Sequence, residues 1–95
     1  MGNRENEFPK GLRKALRKEA KGVCTICGKA GNLEVHHCVP ISRNGTKERH
    51  NALCVCPACH RVLDDLALHE GKYYPEVLME PGVEYIIEKS KKYRR

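Results

Sequence analysis

A chain of 95 residues and 10.8 kDa is enough for one domain, and at that size roughly two-thirds of the unfolded surface is buried on folding. Hydrophobic residues are 40% of the chain, but with one Phe, four Tyr and no Trp the large core anchors are scarce, which leaves six cysteines as the obvious further source of stability. No apolar run approaches the roughly 20 residues that cross a bilayer, Gly and Pro are scattered singly, and no apolar stretch follows Met1-Gly2-Asn3; membrane-spanning and collagen-like classes are excluded, and a cytoplasmic chain without a signal peptide is expected.

Residues 1–8 are polar and are predicted to be frayed. Pro9 is a good first helical residue, and Leu12, Ala15, Leu16 and Ala20 recur behind it at helical spacing, with Arg13, Lys14, Arg17, Lys18 and Lys21 around them. This predicts a short basic helix over 10–21, ended by Gly22. Val23 to Gly28 reads as a metal-binding knuckle, and Leu33 to Val39 as a β-strand stopped by Pro40. Residues 41–50 read as a polar loop turned by Asn44-Gly45, and Ala52 to Val55 as a second short strand. Pro57 opens a helix that runs to about His69 and ends at Gly71. Val83, Ile86, Ile87 and Ser90 fit a helix, although Val83-Tyr85-Ile87 also alternates as a strand would; basic residues crowding the end favour the helix.

Charge is unevenly spread. Residues 1–61 hold 12 basic and 5 acidic groups, residues 62–88 hold 1 and 7, and the tail 89–95 holds five basic groups. Basic ends around an acidic stretch suit a polyanion approached from one side.

Cys24-Thr25-Ile26-Cys27 and Cys56-Pro57-Ala58-Cys59 are two C-x-x-C pairs, each able to present two sulfurs to one ion from a single tight turn. Their spacing predicts a structural Zn2+ held by Cys24, Cys27, Cys56 and Cys59 rather than disulfides. Cys38 and Cys54 are expected to be small buried apolar residues.

The stretch from 22 to 70 resembles the HNH endonucleases, the ββα-metal nucleases. The matching residues are Cys24-x-x-Cys27, Leu33-Glu34-Val35-His36-His37, Pro40, Ser42, Gly45, Asn51 and Cys56-x-x-Cys59-His60, with 14 positions from His37 to Asn51 and 9 from Asn51 to His60. The resemblance implies an α+β fold, a small zinc-stabilised, treble-clef-like ββα-metal core flanked by basic helices. It divides the chain into a basic helical arm at 1–21, the core at 22–70 and a C-terminal extension with its basic tail at 71–95, as one compact, small stand-alone unit.

It also implies roles. His37 would be the general base, Asn51 would hold the loop or the His37 ring, and His60 would ligate a catalytic divalent ion. His36 would be the second ligand, and Asp64, one helical turn after His60, could add an oxygen. Many relatives have Asp where this chain has His36. Imidazole in that place favours Mn2+, Co2+ or Ni2+ over Mg2+, and it leaves open which of His36 and His37 is base and which is ligand. Adjacent residues of a regular strand point to opposite faces, so both would reach one phosphate only if the backbone distorts there.

The activity expected is metal-dependent hydrolysis of DNA phosphodiester bonds by a monomer or weak dimer, with nicking as the elementary act. Arg13, Lys14, Arg17, Lys18, Arg43, Lys47, Arg49 and the tail would contact phosphates. The competing reading is a non-catalytic zinc module that binds nucleic acid. Asn51 argues against it, because neither zinc binding nor a basic surface needs an amide at that spacing.

Overall fold

The computed structural model describes residues 7–74, 76 and 82–93. The start of the chain (1–6) and the last two arginines of the basic tail lie outside them. Helix α1 (Lys10–Glu19) is followed by strands β1 (Glu34–His37) and β2 (Ala52–Val55), then helices α2 (Pro57–Glu70) and α3 (Gly82–Ser90). This is the small α+β arrangement with a ββα centre that the sequence implies.

The two strands pair antiparallel in unbroken register, Glu34 opposite Val55, Val35 opposite Cys54, His36 opposite Leu53 and His37 opposite Ala52. The pairing is shorter than the expected 33–39 run. Beyond His37 the backbone hydrogen-bonds to the next loop instead: the Cys38 N–H donates to the Asn51 carbonyl at 2.8 Å, and the Val39 N–H to the Asn51 side chain.

Helix α2 is placed by its sequence. Cys56 caps it by accepting the Cys59 N–H on its sulfur, Pro57 supplies the first turn, and Gly71 ends it with φ 66°. Ala58, Cys59, Val62, Leu63, Leu66 and Ala67 form its buried face, and all but Ala67 join Leu33, Leu53, Cys54 and Val55 from the strand region in one core. Ile86 of α3 is fully buried in that core, and the C-terminal segment is a helix, as its charge pattern favours.

Helix α1 packs on both strands, half-burying Leu12, Leu16 and Ala20 while its basic residues stay exposed. Two details differ from expectation. Pro9 is the N-cap rather than the first helical residue, and the helix ends at Glu19, because Lys21 and Gly22 both turn left-handed (φ 56° and 76°). Phe8, assigned to the frayed start, is 5% exposed.

The loop between the strands is built from two single 3-10 turns, Ile41–Arg43 and Arg49–Asn51, rather than open coil. Asn44 adopts φ 67°, and the chain then presses Gly45 against the preceding segment. A Cβ on Gly45 would fall 1.8 Å from the Val39 carbonyl oxygen, so glycine is required here by close approach.

Candidate functional site

The four knuckle cysteines converge. Their sulfurs lie within 4.8 Å of one another, and none of the four is in a disulfide. The Cys27 and Cys56 sulfurs are 3.9 Å apart, close to the edge of about 3.8 Å in a tetrahedron of 2.3 Å Zn–S bonds. The first knuckle is fixed by the Gly28 N–H donating to the Cys24 carbonyl (2.9 Å), and is tied to β2 by the Thr25 hydroxyl donating to the Cys54 carbonyl (2.7 Å). A hydrogen bond from Cys59 and backbone N–H groups, acting against burial, bring the Cys24 pKa down to about 4, and the same sharing raises that of Cys59. Cys24 therefore favours the thiolate, the form that binds metal. Cys38 and Cys54 stand apart and buried, with burial raising the Cys38 pKa to about 11.

A second group forms where β1 meets α2. His36, His60 and Asp64 bring one ligand atom each within 4.8 Å of the others. His36 is 1% exposed, and its Nδ1 lies 3.1 Å from Asp64 Oδ1 in a direction that makes no hydrogen bond, which leaves a buried nitrogen unsatisfied. His60 Nε2 is 3.4 Å from Asp64 Oδ2, and the His36 and His60 rings meet edge to face with centroids 5.1 Å apart. Burial lowers the His36 pKa and keeps the ring in its neutral, ligand-competent form. Burial raises the Asp64 pKa, but the two imidazoles beside the carboxylate outweigh it, and the net shift is downward. Two nitrogens and a carboxylate around an orphaned buried atom suit a divalent transition metal.

The group opens into a cavity of about 390 Å3 lined by Glu34, Pro57, His60, Arg61, Asp64 and Asp65. Glu34 was not singled out from the sequence. It lies on the strand face of His36, two residues away, and contacts His60 from 26 positions off, so only the alternation of β1 could have pointed to it.

His37 is not in this group. The strand stays regular through both histidines, so the His37 ring turns to the other face and stacks on Phe8, with centroids 3.9 Å apart and planes at 14°. The structure thus assembles two imidazoles and a carboxylate at one point, with the third imidazole on the opposite face of β1.

Asn51 is 5% exposed and staples the loop. Its Oδ1 accepts the Val39 N–H (2.8 Å), and its Nδ2 donates to the Val39 and Thr46 carbonyls (3.1 and 2.9 Å). Of its two expected uses, the geometry displays loop-holding. Asn51→Ala should cost roughly 2–4 kcal/mol, because buried backbone partners are left unmatched, and should lower Tm by on the order of 10 °C. A Tm that stays within experimental error of wild type in a calorimetric scan would remove Asn51 from that role.

Among the basic residues expected to meet phosphates, three are engaged within the fold. Arg17 Nε donates to the Leu33 carbonyl, Arg43 donates to the Leu68 carbonyl at the end of α2, and Arg49 pairs with Glu19. Arg13, Lys14, Lys18 and Lys47 are exposed. Among the described residues, no helix is long and apolar enough to cross a membrane.

Comparison with known proteins agrees with this geometry. Residues 24–65, which hold both clusters, match the family model described as HNH endonuclease. The chain is also similar to the type IV methyl-directed restriction enzyme EcoKMcrA of Escherichia coli (strain K12), with 42% identity over a 57-position alignment. That alignment covers 50% of this chain and 21% of the restriction enzyme, so the chain spans only about a fifth of that relative.

Proposed function

We propose, from the match of residues 24–65 to the HNH endonuclease family model, that the chain is a divalent-metal-dependent nuclease that hydrolyses DNA phosphodiester bonds. The observation that carries the reading is the cluster of His36, His60 and Asp64, with the buried His36 nitrogen unsatisfied behind two residues, His60 and Asp64, that line a cavity.

In this reading Cys24, Cys27, Cys56 and Cys59 hold a structural Zn2+ that clamps the first knuckle to the start of α2. His36, His60 and Asp64 hold the catalytic ion, Mn2+, Co2+ or Ni2+ in preference to Mg2+ because two of the three ligands are imidazoles. Bound there, the ion supplies Lewis-acid stabilisation of charge on the phosphoryl oxygens and the departing 3′-oxygen. The orphaned Nδ1 of His36 favours His36 as ligand and His37 as base, the choice left open by the sequence.

His37 accepts the proton of the attacking water, a task suited to imidazole near neutral pH. The stack on Phe8 fixes its ring plane, and Asn51 holds the loop that follows β1, so the base is held in place on its own face of the strand. Arg13, Lys14, Lys18 and Lys47 would hold the DNA backbone without reading its sequence, and one such site per chain makes a nick the elementary event.

The test is conversion of supercoiled plasmid to the nicked form by purified protein with Mn2+. Nicking that disappears on His60→Ala supports the reading. No cleavage with Mn2+, Mg2+, Co2+ or Ni2+, together with retained DNA binding, would instead identify a non-catalytic nucleic-acid-binding module.

A further inference from the structure

The cavity wall contains a carboxylate that neither cluster uses. Glu34 Oε1 lies 2.7 Å from His60 Nδ1, the ring nitrogen on the other side of the imidazole from the Asp64 contact. The placement follows from the fold: Glu34 and His36 share one face of β1, which turns toward α2, and His60 stands in the first turns of α2 where that helix meets the strand. The His60 ring thus has a carboxylate near each nitrogen, hydrogen-bonded to Glu34 at Nδ1 and with Nε2 3.4 Å from Asp64.

We propose that Glu34 is a positioning residue of the His36–His60–Asp64 centre, accepting the Nδ1–H of His60 so that the ring is fixed in the tautomer and orientation that offer Nε2 to a metal ion. This rests on the reading of those three residues as metal ligands. A neutral imidazole carries one ring proton, and whichever nitrogen holds it cannot ligate. An acceptor on Nδ1 holds the proton there and frees the Nε2 lone pair, and a carboxylate acceptor also makes the ring a stronger donor to the ion. Glu34 does not serve as a further ligand in this arrangement, because its oxygen is spent on the far side of the ring. Its side chain is about half exposed, so its removal leaves the core intact.

Two readouts test this in zinc-loaded protein. The first is the His60 tautomer in the absence of added divalent ion, from long-range 1H–15N NMR at alkaline pH. The second is Mn2+ affinity, from the EPR signal of free Mn2+. Wild type should show the Nδ1–H tautomer, and Glu34→Ala should shift His60 toward Nε2–H and weaken Mn2+ binding roughly ten- to a hundredfold. Glu34→Gln keeps a carbonyl acceptor, so it should keep the tautomer and lose only a few-fold in affinity. Zinc content and circular dichroism should be unchanged in both variants. A wild-type Nε2–H tautomer, or Glu34→Ala binding Mn2+ as wild type does, overturns the role of Glu34 alone. A wild-type protein that takes up no Mn2+ overturns the metal-centre reading and this inference with it.

Discussion

Stripping the ion from the four-cysteine cluster should unfold the protein. Cys24, Cys56 and Cys59 are buried members of the same core as Val55, Leu63 and Ile86, and the chain has few large side chains with which to compensate. A structural zinc site contributes an apparent free energy of about 10–16 kcal/mol at neutral pH, as large as or larger than the roughly 5–15 kcal/mol by which a typical domain is stable. A high-affinity chelator should therefore remove most helical circular dichroism, and added Zn2+ should restore it. Cys56→Ser isolates the cause. Serine is a good N-cap and can still accept the Cys59 N–H, so this variant keeps the cap of α2 and loses a metal ligand. It should be mostly unfolded at ambient temperature. A metal-free protein with an unchanged spectrum would show that the apolar core suffices by itself.

His37→Ala should abolish most cleavage while leaving metal uptake in place. Loss of a general base lowers the rate by roughly 10²–10⁴-fold, and His37 lies outside the His36–His60–Asp64 cluster, so its removal takes no ligand away. His36→Ala should behave differently, losing Mn2+ binding and cleavage together. The two variants separate the assignments that adjacent histidines leave undecided: if His37 were the ligand and His36 the base, the metal-binding results would be exchanged. Cleavage by His37→Ala at the wild-type rate would mean that another group takes the proton. Because His37 stacks on Phe8, thermal melting of the variant should accompany the assay, so that lost packing is not mistaken for lost chemistry.

Features written locally in the sequence were legible. The Cys56–Cys59 knuckle, Pro57, the apolar spacing through Leu66 and Gly71 all act within one helix, and α2 could be drawn from them almost to the residue. The four-cysteine cluster was legible because tetrahedral coordination imposes spacing on each pair. What escaped depends on partners distant in sequence. Phe8 sits in a polar segment, and only the folded chain brings it to His37. Glu34 looks like a solvent-facing strand residue until α2 lays His60 against it. The arginines at 17, 43 and 49 read as a basic surface, yet each finds a carbonyl or carboxylate elsewhere in the fold. The loop from 41 to 50 read as coil because its order comes from Asn51 and the close approach at Gly45 rather than from periodicity. Pairing stays regular through both histidines, so β1 has no bulge there: His36 and His37 are set on its two faces, and under the proposed roles a phosphate would have to lie across the strand's end to meet both.

The most direct test of the account is an anomalous-difference map of zinc-containing crystals soaked in Mn2+, with data collected at energies that separate the two elements. A zinc peak is expected among Cys24, Cys27, Cys56 and Cys59, and a manganese peak bound by His36, His60 and Asp64 with His37 not coordinated. Manganese ligated by His37, or no manganese near α2 at saturating concentration, would contradict it.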